Sequence, residues 1–132
     1  MNPLPLSRVA LVIRTDFSDH QAWEAIVEPT EEDFCARVEF VDDDVYRSPT
    51  VEQLLDLLPN GEARAFFMVV DSIAVHGPDN PILVVGLRGD RGRVFRAIPA
   101  AVQSIENNLS ISNMDFAEFA GAIDQDGVFR GF

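Results

Sequence analysis

Three runs of apolar residues limit what this chain can become. Residues 9–13 (V-A-L-V-I), 65–70 (A-F-F-M-V-V) and 82–87 (I-L-V-V-G-L) carry no polar side chain and are rich in β-branched and aromatic residues. A strand with one wet face alternates apolar and polar residues, whereas a continuous apolar strand needs cover on both faces. No run approaches the roughly 20 apolar residues of a membrane span. They predict three strands lying side by side inside a sheet flanked by helices. A chain of 132 residues can bury one such core.

The intervening stretches fit that frame. Ser18 and Gln21 match a capping box, and Ala22, Trp23, Ile26 and Val27 supply the apolar face of the helix that follows. Pro29 is expected to stop it. Residues 34–41 alternate in polarity, as a half-exposed strand near a sheet edge does. Thr50 and Gln53 form a second capping box, with Val51, Leu54, Leu55 and Leu58 inward and P-N-G at 59–61 as terminator. The G-D-R-G of residues 89–92 is hairpin chemistry leading to a strand at 94–98. Pro99 suits a helix start, and Val102, Ile105 and Leu109 share one helical face. A short helix starting near Asn113 would turn Phe116, Phe119, Ala120 and Ile123 inward, before a last short strand at 128–132. The expected fold class is α/β, with α+β as the alternative. A mixed sheet of about five or six strands is flanked by about four helices in a single domain over residues 1–132, of which 1–6 form a loose end.

Charge narrows the partners. The formal net charge is −12, from 22 acidic and 10 basic residues, and every basic residue is arginine. Nucleic acid and anionic membranes are poor partners, because phosphate contacts need a basic face. A basic protein or a cationic ligand would be attracted. The absence of lysine removes Schiff-base chemistry and phosphate binding by a P-loop lysine. Cys35 is the sole cysteine, so neither an internal disulfide nor a cysteine-based zinc cluster can form. Residues 1–5 do not read as a signal peptide, and the cytoplasm is the expected location.

Polar residues among the apolar ones are the candidate site residues. Asp16 and Asp71 each follow a core strand, and parallel neighbouring strands would bring both to the sheet's carboxyl edge, where open α/β folds bind ligands. Arg14, Arg96 and Arg130 sit beside apolar residues in predicted strands and need carboxylate partners, since an unpaired buried charge is very costly. They form structural ion pairs with residues such as Asp16, Asp71, Glu106 and Asp115, or they hold a carboxylate or phosphate ligand. Glu106, Asn107, Asn108, Asn113 and Asp115 cluster in residues 95–119, where short polar side chains serve caps, a polar network or a ligand. Ser72, His76 and Asp79 share a loop without a G-x-S-x-G turn around the serine, so no catalytic residue is assigned. Asp42, Asp43 and Asp44 are consecutive and diverge, and D-Q-D-G at 124–127 lacks the later ligands of a calcium loop. No metal and no cofactor is expected.

Three stretches, T-D-F-S-D-H-Q-A-W (15–23), I-E-N-N-L-S-I-S-N-M-D-F (105–116) and D-G-V-F-R-G-F (126–132), resemble a family of small bacterial proteins known only as a domain of unknown function. The resemblance runs from about Arg14 to the end and implies one intact domain. It brings no activity, cofactor or catalytic residue. Two functions stay open. One is a non-catalytic acidic binding protein, an immunity-type or regulatory partner of a basic protein, steered by acidic groups at 31–33 and 42–44. The other is a small enzyme or small-molecule binder with its pocket at the carboxyl edge of the sheet.

Overall fold

The three apolar runs do lie side by side. In a computed structural model, which describes residues 3–5, 9–32, 38–59, 64–88, 91–110 and 114–131, with backbone alone for 29–32, they become β1 (Ala10–Arg14), β3 (Phe66–Val70) and β4 (Ile82–Gly86). Shorter strands complete the sheet: β2 (Val38–Val41), β5 (Val94–Ala97) and β6 (Val128–Phe129). The order is β2-β1-β3-β4-β5-β6. β4 alone runs against the others. The carboxyl ends of five strands therefore share one edge with the amino end of β4.

Helices cover both faces, as continuous apolar strands require. α1 (His20–Glu32), α3 (Ser72–His76), α4 (Val102–Ser110) and α5 (Phe116–Ala120) pack on one face, around Val12, Met68, Val84 and Phe95. α2 (Val51–Asp56) and a 3-10 turn at Asp44–Tyr46 cover the other, around Leu11, Ile13, Phe67 and Val69. The protein is thus an α/β single domain with a mixed sheet. β1→β2 crosses on the α1 face and β2→β3 on the α2 face. Connections leaving on opposite faces make the carboxyl ends of β1 and β3 the topological switch point of the sheet, where open α/β folds bind ligands.

Several local expectations hold. The Thr50 box is complete: the Thr50 hydroxyl accepts from Gln53 N–H at 3.1 Å, and the Gln53 side chain accepts from Thr50 N–H at 2.9 Å. β2 is an edge strand, with Glu39 exposed and Val41 buried. Pro99 opens a 3-10 turn that runs into α4.

Others need correction. The cap of α1 is Asp19, whose carboxylate accepts from Ala22 N–H at 3.1 Å. The helix continues through Pro29 to Glu32, although a proline inside a helix gives up its ladder bond and crowds the carbonyl four residues back. The segment around His76, read as loop, contains α3. Asp71 caps it by accepting from Ala74 N–H at 3.0 Å, and the Asn80 amide donates to the Ala74 carbonyl at 3.0 Å. Gly77 ends it, where a Cβ would collide with the Ile73 carbonyl. Ile123 is 39% exposed, because Gly121 ends α5 before it. The expectations for Cys35, residues 33–37, Asn60 and Gly61, Gly89 and Asp90, Ser112 and Asn113, and Phe132 lie outside the described residues, as do the side chains of Glu31 and Glu32.

Candidate functional site

The carboxyl edge gathers most of the sequence-derived candidates. Thr15 ties β1 to β3 through its N–H on the Val70 carbonyl at 3.1 Å. This brings the β1–α1 loop beside α3. Asp16 Oδ1 accepts from the Ser18 N–H at 2.8 Å and from the Ser18 hydroxyl at 2.5 Å. The same hydroxyl lies 2.9 Å from His76 Nε2, which stands 3.8 Å from Asp16 Oδ2. Burial alone would raise the Asp16 pKa. The two Ser18 bonds and the positive influence of His76 and Arg14 outweigh it and hold the carboxyl below its usual range.

Asp71 and Arg96 are brought together, on each other. The Arg96 fork donates to both Asp71 oxygens, at 3.0 and 2.7 Å, and to the Pro81 carbonyl at 2.9 Å. Asp71 also caps α3, so it is engaged twice. Arg14 is buried under the first turn of α1. It donates to Asp42 at 3.2 Å, and its guanidinium sits 4.6 Å from the Phe17 ring and 5.2 Å from the Trp23 ring. Arg130 leaves β6 and reaches Asp124, Asp126 and Asp79 at 2.8, 2.8 and 3.1 Å. Its proton is held more firmly than in a free arginine, by Asp126 first, then Asp124 and Asp79.

The asparagine cluster belongs to the opposite edge. α4 starts where β5 ends and runs back across the sheet. At its far end Met114 N–H bonds the Asn108 carbonyl at 3.2 Å. Phe116 then packs on Gly86, which pairs with Phe66 at the start of β3. Asn107 is exposed, and the Asn108 amide bonds the Ser104 carbonyl within its own helix at 2.8 Å. Glu106 is buried and accepts from the Ser110 hydroxyl at 3.3 Å. Asp115 heads α5 through its backbone and is exposed. Glu106 and Asp115 pair with none of the arginines among the described residues.

Sequence reasoning joined His76 to Ser72 and Asp79. The structure joins it to Ser18, 58 residues away, and no spacing rule reports that. The available signal was indirect: both residues follow strands that become neighbours. Ser18, His76 and Asp16 do not form the hydrolytic triad. There the acid orients the imidazole through its far nitrogen, whereas here Asp16 shares the serine. Among the described residues no group of three or more His, Cys, Asp or Glu could hold a metal ion, and no helix is long and apolar enough to cross a membrane.

Acidic residues outnumber arginines around the carboxyl edge. Asp16, Asp19, Asp42, Asp43, Asp44 and Asp71 stand around the ends of β1 to β3, and Arg14, Arg96 and Arg130 on this edge are engaged with aspartates. Arg64, Arg88, Arg91 and Arg93 lie toward the other edge, at the start of β3 and around the β4–β5 hairpin. No functionally curated protein matches the chain. Residues 9–132 match the family described as Domain of unknown function (DUF6924), and the chain belongs to that family.

Proposed function

We propose that this protein is a non-catalytic acidic binding protein, of the immunity or regulatory kind, that takes a basic protein partner on the carboxyl edge of its sheet. One observation carries the reading. Around that edge Arg14, Arg96 and Arg130 are engaged with aspartates, and the exposed Asp19, Asp43 and Asp44 outnumber the exposed Arg47, which sits over the Phe17 ring. Such an excess steers a basic surface into place and makes association depend on salt. The test is affinity capture from the native host with the wild-type chain and with a D43K/D44K variant. A basic protein should be retained by the first, elute with salt, and bind the second at least about tenfold more weakly. Recovery of no basic protein, or equal retention by the variant, would sink the proposal.

A small enzyme or small-molecule binder at the same edge has a specific observation in its favour, the Ser18–His76 contact at the β1/β3 switch point. It loses support from Asp71 and Arg96, which satisfy each other instead of facing a ligand. A thermal-shift screen against metabolites separates the two readings, since a ligand that binds the folded state raises its midpoint by linkage.

A further inference from the structure

Asp16 differs from the other carboxylates that form ion pairs at the carboxyl edge, of which Glu24 pairs with His20 and is 66% exposed. Asp42, Asp71, Asp79, Asp124 and Asp126 each contact an arginine, and their side chains are 46, 26, 59, 57 and 53% exposed. The Asp16 side chain is only 15% exposed, and His76 comes within 3.8 Å of its carboxylate while Arg14 acts on it from farther off. Arg14 bonds the Asp16 backbone carbonyl, leaving the carboxylate aside. Ser18 occupies Oδ1 and keeps the group ionised, while Oδ2 has no closer partner than His76 at 3.8 Å. A partly shielded charge whose nearest cation is an exposed histidine is where a partner's cation gains most. Central, water-shielded charge pairs carry far more binding energy than pairs on a rim.

Apolar surface lies beside it. Ile73 is 54% exposed, the most exposed large hydrophobic residue described. It sits one turn before His76 on the same outward face of α3. His76 touches Ser18, so this face and the β1–α1 loop are continuous. An arginine side chain matches that pairing: its fork takes the carboxylate and hydroxyl, and its methylenes cover the isoleucine.

We propose that the β1–α1 loop and the outer face of α3 form the centre of the docking surface, with Asp16 as the anchor for an arginine side chain of a basic protein partner. The inference rests on the acidic-binding reading and locates it. The test titrates isotope-labelled protein with hexa-arginine and hexa-lysine at about 50 mM salt, where exposed charges still act over roughly 10 Å or more. Hexa-arginine should shift the resonances of residues 15–19 and 72–76 and bind several-fold tighter than hexa-lysine. D16N should weaken it about tenfold. D44N, which removes an exposed charge that pairs with no arginine among the described residues, should weaken it by less than about threefold. I73S changes an exposed position, leaves the fold intact and should weaken it about threefold, which keeps the proposal open to refutation if D16N fails to fold. Equal losses in D16N and D44N, or shifts confined elsewhere, would overturn the anchor and leave the acidic-binding reading standing. Failure of both peptides to shift any resonance would overturn both.

Discussion

Asp71 shows how one residue supports the edge in two separable ways. Its carboxylate caps α3 and grips the Arg96 fork. Asparagine is as good a cap as aspartate but carries no charge. D71N should therefore lose the ion pair and keep the cap, whereas D71A loses both. Both partners are mostly buried, at 26 and 18% exposure, so breaking the pair leaves an arginine without its counter-ion, a loss of roughly 2–4 kcal/mol. D71A should be a further ~1 kcal/mol less stable than D71N. Urea midpoints with unchanged slopes would check this, and equal midpoints would refute it. Asp16 predicts a pH dependence. Its folded carboxyl lies below the usual 3.8, so on acidification the unfolded chain takes up the proton first. Its stabilising contribution is complete above that usual value and disappears as pH falls through the lower folded one. D16N should therefore lose stability less steeply than wild type below about pH 4. Parallel acid-unfolding curves for the two would contradict the assignment.

At the scale of elements, what the sequence revealed depended on how local the cause was. The apolar runs became β1, β3 and β4 because burial on both faces is written into consecutive residues. The Thr50–Gln53 box was equally legible, since a cap is a contact between residues three apart. T50A should lower stability by about 1 kcal/mol, read as a shift in thermal midpoint. The shared carboxyl edge of Asp16 and Asp71 was legible only as a condition, that β1 and β3 become parallel neighbours, which they do. α3 was hidden because its five residues contain too little periodicity, and its ends are held by Asp71 and Asn80 from outside the helix. The Ser18–His76 contact was hidden because it depends on which strands become neighbours. Asn107 and Asn108 looked like site residues, and the course of α4 carries them to the other edge. What that region does hold is packing. Phe95, Phe116, Phe119 and Phe129 form a ring cluster with centroids 4.9 to 6.4 Å apart. Phe119 is fully buried within it. F119A should cost about 3–5 kcal/mol, more than any cap, and a smaller loss in chemical denaturation would show that α5 contributes little to the core.

For the whole molecule, two electrostatic effects respond to salt in opposite directions, and their magnitudes decide which prevails. The pairs of Arg130 lie on aspartates that are more than half exposed. Each such exposed pair contributes little and fades as salt screens it. Against them stands a net charge of −12 on 132 residues. That excess repels itself more strongly in the compact chain than in an expanded one, and screening relieves it. Asp19, Asp43 and Asp44 contribute to that repulsion at the carboxyl edge, where they are exposed and Arg14, Arg96 and Arg130 are already engaged. Salt should therefore stabilise the fold on balance. The thermal midpoint should rise by a few degrees, about 1 kcal/mol, between about 10 and 200 mM sodium chloride. D43N/D44N should start higher and rise less, because part of the repulsion is already gone. A midpoint that falls with salt would mean that the ion pairs outweigh the repulsion. The edge would then be held together by its charges, instead of being held under tension that a basic partner relieves.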